Sequence, residues 1–231
     1  MVLFVFDIDG TLTDSIGLHI KCFMEALTAV GMTEVDTDWG SYTHHTDSWI
    51  FAEIFRRNVG RSPNIDEREL FAAKLTQSFN AYVDDQPFNE IAGARQFVEQ
   101  LQTGEAAFAF ATGSFRQPAI RKLEKIGLRV PSELIATASE FETREDIVWQ
   151  AVLAARAYFN VDDFERVISV GDGYWDLMTA RNLGINFIGI CAGTAADKMR
   201  TAGVQTMFAD LLAMSVIAKE QWPSGDLTAI E

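Results

Sequence analysis

Two aspartates one residue apart, Asp7 and Asp9, follow the apolar run Val2 to Phe6 and precede Gly10-Thr11. Carboxylates this close repel one another unless a positive charge lies between them. A hard divalent cation meets that need, and Mg2+ does so with few protein ligands, retained waters and a substrate phosphate. A strand period of two would set both side chains on one face, although Gly10 permits a turn that already includes Asp9. Asp-Gly is equally a plain turn signal, so the pair alone leaves site and turn both open. A second group is Ala111-Thr112-Gly113-Ser114, just before a helical stretch near Gln117-Pro118. A hydroxyl, a glycine that lets backbone N–H groups approach and a helix N-terminus together make an anion cradle. The same residues also read as an ordinary N-cap. A third is Gly171-Asp172-Gly173-Tyr174-Trp175-Asp176, in which Asp172 and Asp176 can face one pocket and either can serve a helix start instead. Its glycines do not form the GxGxxG pattern of a dinucleotide site.

Each group closes a short apolar run. The strand candidates are Val2 to Phe6, Ala107 to Ala111, Val167 to Val170 and Asn186 to Ile190, with weaker ones at Leu134 to Ala136 and Gln205 to Phe208. They alternate with stretches of helical period, which predicts an α/β fold with a mostly parallel sheet covered by helices on both faces. Ligands of such sheets bind beyond the carboxyl ends of the strands, where all three groups stand. Four carboxylates and a Thr-Gly at successive strand ends are hard to explain as independent turns.

About a hundred residues separate the first two strands, far more than one crossover helix needs. Within them Ile20, Phe23, Leu27 and Val30 form one apolar stripe; Ile50, Phe51, Ile54 and Phe55 a second; Phe71, Leu75, Phe79 and Tyr82 a third. Breakers fall at Gly31, Gly40, Gly60 to Pro63 and Gln86-Pro87. The expected organisation is an all-helical insert over residues 15–87 in a core made of residues 1–14 and 88–231, ending in a polar tail around Pro223 to Asp226.

Nineteen Lys and Arg against 33 Asp and Glu give a net charge of -14. No basic run exceeds Arg56-Arg57, which argues against nucleic acid as a partner. The same charge argues against an anionic membrane surface and requires a local cation for any anionic ligand. No apolar run approaches a membrane span or a signal segment, and Cys22 and Cys191 lack metal-ligand spacing. The expectation is a cytoplasmic protein with both thiols free and buried, as monomer or homodimer.

These residues resemble the haloacid dehalogenase superfamily. FDIDGTLTDS is similar to its first motif, ATGS to its second and VGDGYWDLMTARNLGI to its fourth, in the family's order, and the helical insert looks like a type C1 cap. The resemblance implies a Rossmann-like core and an aspartyl-phosphate mechanism with Mg2+. It makes Asp7 the nucleophile, Asp9 the general acid/base and Thr112 a phosphate holder, with Thr11, Gly113 and Ser114 around the substrate. Asp172 and the Asp7 carboxylate would ligate Mg2+ with the Asp9 backbone carbonyl, and Asp176 would assist. The third motif is normally a Lys; the matching segment Glu142 to Ile147 offers Arg144 as its cation, with Thr143 and Asp146 reading as a helix start. Arg is planar and forked, so it does not replace Lys neutrally.

Asp9 argues for phosphoryl chemistry, since two proton transfers are needed at that position and dehalogenases of the family lack this second Asp. The implied activity is hydrolysis of a small phosphate ester, as in phosphoglycolate-phosphatase-like members. A β-phosphoglucomutase-like mutase and a catalytically silent binding protein share the fold. Substrate choice would lie in the cap, where Tyr42 to Ser48 carries His44 and Thr46 in the segment similar to the family's substrate loop, and His19 lies on the first cap helix. Each His reads equally as a solvated or packed side chain.

Overall fold

The computed structural model of the chain describes residues 1–86, 88–104 and 106–215. Six parallel strands form the sheet in the order β3-β2-β1-β4-β5-β6, with β1 at Val2–Phe6, β2 at Ala107–Thr112, β3 at Ile135–Thr137, β4 at Arg166–Gly171, β5 at Asn186–Ile190 and β6 at Met207–Phe208. The apolar runs sit where the sequence puts them, because a strand covered on both sides needs no polar alternation. In β2 every residue is buried. The weaker candidates differ: β3 is shifted one residue on, to Ile135–Thr137, because residues 132–134 form a 3-10 turn, and β6 keeps two residues of the expected four.

The chain leaves β1 for β2 and β3 on one side and reaches β4 and β5 on the other, so β1 is the point at which strand order reverses. Right-handed crossovers then put α4 (Ala94–Thr103) and α5 (Arg116–Lys125) on one face, and α6 (Arg144–Phe159) and α7 (Tyr174–Leu183) on the other. Phe97 of α4 meets the rings of Phe4 and Phe6 edge-on at 5.9 and 6.1 Å, and Phe6 lies 6.1 Å from Phe110. Such edge-to-face packing suits the ring quadrupoles and adds to the area they bury.

Between β1 and α4 come three helices, α1 (Ile16–Ala29), α2 (Asp47–Val59) and α3 (Ile65–Tyr82). Their boundaries follow local chemistry. Thr46 accepts the Trp49 N–H at the start of α2, and Gly60 at φ 80° ends it in a left-handed turn. Asn64 and Glu67 satisfy each other's backbone N–H groups at the start of α3. The apolar stripes meet in an aromatic core: Phe71 stacks on Phe51 at 4.1 Å and meets Phe23 edge-on at 5.1 Å. Phe71 also lies 6.1 Å from Phe115, joining the cap helices to the sheet domain.

Among the described residues no helix is long and apolar enough to cross a membrane. Both cysteines are free; Cys22 is buried, but Cys191 is half-buried, just past the end of β5. Pro87, expected at the end of the helical insert, and the tail around Pro223 to Asp226 lie outside the described residues.

Candidate active site

Because β2, β1 and β4 are neighbours, their carboxyl ends bring Thr112, Asp7 and Asp172 side by side. The turn after β1 is compact: Gly10 adopts φ 82°, and a Cβ there would lie 2.3 Å from Oδ2 of Asp172. Glycine is required on both counts. Thr11 is fully buried, with its hydroxyl 3.5 Å from Asp172.

Arg144 comes from the first turn of α6, where Thr143 caps the helix by accepting the Asp146 N–H. The cap and the functional reading therefore coexist: Arg144 is 4 % exposed and its Nη2 donates to Asp7 at 3.1 Å and to Asp176. Burial opposes its charge, but Asp176 and then Asp7 more than compensate, holding the guanidinium protonated. Its Nε, also buried, has no partner among the described residues. A phosphate oxygen would satisfy that donor.

Carboxylate oxygens of Asp7, Asp172 and Asp176 lie within 4.8 Å of one another. Burial and then the charge of Asp176 push Asp7 up, and the same two causes raise Asp172 to about 7. Asp176 is also raised, by burial first, against the pull of Arg144. Two buried carboxylates, Asp7 and Asp176, share one guanidinium and the half-buried Asp172 stands beside them, so the cluster is short of positive charge. Its all-oxygen donor set and that deficit fit a hard divalent cation such as Mg2+.

Asp9 belongs to a different network, built on a residue that reading the sequence passed over. Lys122, on α5, is fully buried, and its ammonium donates to Asp9 Oδ2 at 2.7 Å, Ser114 Oγ at 2.7 Å and His19 Nδ1 at 3.0 Å. Three donors meet three acceptors. With Nδ1 accepting, Nε2 of His19 carries the hydrogen and donates to Asp47 Oδ1 at 2.8 Å. Burial works to raise Asp9, but Lys122, with His19 behind it, outweighs that and holds the carboxyl well below its usual range. The signal for Lys122 was available: it falls in the apolar stripe Phe115, Ala119, Leu123 and Ile126, where a solvated lysine has no place.

Asp47 locks the cap to the sheet. Its N–H donates to the Gly113 carbonyl at 2.8 Å, and its Oδ2 accepts the Phe115 N–H at 2.8 Å. A Cβ on Gly113 would lie 2.1 Å from the His45 carbonyl oxygen, so only glycine admits this contact. Thr46 is buried beside it, its hydroxyl donating to the Glu142 carbonyl at 2.6 Å. Ser114 is turned inward, donating its hydroxyl to Asp9 at 2.8 Å and its N–H to Thr112 Oγ1 at 3.1 Å.

A cavity of 230 Å3 lies between sheet and cap. Asp7, Asp9, Thr112, Gly113, Ser114, Arg144, His19 and Thr46 all border it. Of the two adjacent histidines, His45 lines it and stacks on Trp175 at 4.0 Å; burial first, then Arg144, lowers its pKa to about 4. His44 packs edge-on against Trp49 at 4.8 Å, with Nδ1 3.6 Å from Glu145, away from the cavity.

The chain is 27% identical over 189 residues to the tyrosine-protein kinase PtkA of Mycobacterium tuberculosis, covering 80% of this chain and 60% of that one. It thus spans less than two thirds of the length of that relative. It is 24% identical over 200 residues to the phosphoglycolate phosphatase of Agrobacterium fabrum, covering 83% and 81% of the two chains. In structure it is similar to a hydrolase from Pseudomonas syringae, with a TM-score of 0.73 at 21% identity over 95% of this chain and 99% of the other. The family model of haloacid dehalogenase-like hydrolases matches residues 4–190. With that match covering the strand-end aspartates, Thr112 and Arg144 alike, the chain belongs to the haloacid dehalogenase-like hydrolase family.

Proposed function

We propose that the protein is a Mg2+-dependent phosphatase of small phosphomonoesters that works through a phosphorylated Asp7. The observation that carries this reading is the pairing of two aspartates, in one turn, with two different buried cations: Asp7 with Arg144 and Asp9 with Lys122. One carboxylate is thereby oriented as a nucleophile and the other as a proton carrier.

In the first half-reaction a bond forms from an Asp7 oxygen to phosphorus as the ester P–O bond breaks, and the leaving alkoxide takes a proton from Asp9. Lys122 makes Asp9 a ready donor once it is protonated; because Lys122 also holds the free carboxyl ionised, the proton Asp9 passes on arrives with the substrate, which binds as the ester monoanion. In the second, Asp9 takes a proton from the water that attacks the phosphorylated Asp7, restoring both residues and releasing phosphate. Arg144 and the backbone around Thr112 and Gly113 would hold the phosphoryl oxygens. Asp7, Asp172 and Asp176 would hold Mg2+, with the Asp9 backbone carbonyl, and the ion, when bound, neutralises charge on the transferring group. Closure by Asp47 and His45 would exclude bulk water.

The test is hydrolysis of p-nitrophenyl phosphate with and without Mg2+ by the wild type and by Asp7→Asn. Metal-dependent release that vanishes in the variant is expected; equal turnover by the variant would overturn the reading. Counting inorganic phosphate separates hydrolysis from transfer to a sugar phosphate or to tyrosine, the acceptor in the name of the mycobacterial relative.

A further inference from the structure

The cap half of the cavity is apolar. Ile16, Ile20, Phe23, Trp39 and Ile50 face it, joined by Trp175 of α7, and Arg144 is the one Lys or Arg among its described lining residues. That guanidinium is engaged by Asp7 and Asp176 at the phosphoryl end. On the cap side His19 spends both ring nitrogens on Asp47 and Lys122, and His45 lies flat on Trp175. Asp47, the cap-side carboxylate of the lining, would repel a second negative charge.

An ester carrying a carboxylate or a second phosphate in its organic part would thus bury that charge without a cationic partner, which is strongly unfavourable. A hydroxyl-rich sugar fares little better, since the aliphatic and aromatic walls offer few donors or acceptors. An alkyl or benzylic group gains by leaving water. The volume of 230 Å3 falls below the range of about 300–1,000 Å3 typical of drug-sized ligands, so the group is short.

We infer that the substrate is the phosphate monoester of a short, uncharged, apolar alcohol, whose organic part packs between α1 and the Trp39, Ile50 and Trp175 side chains. This rests on the phosphatase reading and narrows it.

The test compares kcat/KM for ethyl, butyl and hexyl phosphate with that for 2-phosphoglycolate. The alkyl leaving groups are all primary alkoxides of similar reactivity, so a trend reports the pocket. A rise of roughly fourfold per methylene from ethyl to butyl is expected, with 2-phosphoglycolate turned over more slowly than ethyl phosphate. A flat series, or preference for 2-phosphoglycolate over butyl phosphate, would overturn the inference. Ile16→Lys, at a position 38 % exposed and so able to take a lysine without unfolding, should narrow the gap between butyl phosphate and 2-phosphoglycolate; an unchanged ratio would count against it. Calorimetric binding of butylphosphonate and phosphonoacetate to Asp7→Asn with Mg2+ separates this inference from the phosphatase reading. Tighter binding of butylphosphonate without turnover of any ester, p-nitrophenyl phosphate included, would remove the phosphatase and leave the pocket's selectivity standing. Equal or weaker binding would remove the selectivity.

Discussion

The ammonium of Lys122 lies 2.7 Å from Oδ2 of Asp9, in a helix that contributes no other charge to the site, and it meets no solvent. In the proposed mechanism it is a positioning residue, acting on Asp9 and not on the substrate. Lys122→Met should therefore lower kcat by about a hundredfold, in line with the loss of a tuned proton carrier, while KM changes little. Lys122→Arg should recover part of kcat if charge alone matters. Steady-state kinetics with thermal melts distinguishes this from misfolding, which would lower the active fraction without changing the pH profile.

The carboxylate cluster of Asp7, Asp172 and Asp176 makes an opposite pair of predictions for one substitution. Asp172 is raised to about 7 by burial and by Asp176, which means that folding disfavours its charged form. Its charge destabilises the metal-free protein above the unfolded carboxylate pKa, and Asp172→Asn should melt at the same temperature or higher without Mg2+ at neutral pH. The same variant should lose the rise in melting temperature that Mg2+ confers on the wild type. Calorimetry with and without the ion reads both.

Arg144 serves two carboxylates at once through Nη2 alone, and its buried Nε is left over for a further acceptor, a second donor site that a lysine does not have. Arg144→Met leaves Asp7 and Asp176 buried without their counter-ion, at a cost of about 3–5 kcal/mol. Unfolding in urea should report a loss of that order in the metal-free protein, reduced when Mg2+ is present. Arg144→Lys should keep measurable turnover where Arg144→Met keeps none.

In the cap, Phe71 is fully buried between Phe51, Phe23 and Phe115. Truncation of such a ring costs about 3–5 kcal/mol. Phe71→Ala should lower the melting temperature by about 6–20 °C for a chain of this size, and phosphatase activity should fall because the cap no longer closes.

Glu67 is held at about 2, against an ordinary 4.5, first by its hydrogen bonds from Arg61 and then by the Asn64 N–H. A carboxyl lowered by folding stabilises above its unfolded pKa and loses that contribution as pH falls from near 4.5 toward 2. Glu67→Gln should melt lower than the wild type at pH 6, and the difference should vanish near pH 2.

What the residue order determined by itself is the part of the protein governed by local rules. Apolar runs such as Val2 to Phe6 become strands because a sheet covered on both faces needs continuous apolarity, and Asn64 with Glu67 starts a helix because its first N–H groups need acceptors nearby. Asp7, Thr112, Asp172 and Arg144 could be picked out because each sits at a strand end or helix start, and one rule of parallel sheets sends those ends to a common edge. Lys122, His19 and Asp47 could not be joined in that way. They lie on α5, α1 and α2, at separations of 103 and 28 residues, and their hydrogen bonds exist only after the cap has docked on the sheet. The apolar character of the pocket is likewise a property of the docked pair, since Ile20 and Phe23 read in sequence as ordinary core residues. Tertiary packing decided which of them faces a cavity and which fills the core, because burial makes an unpaired charge so costly that only the assembled surroundings select the partner.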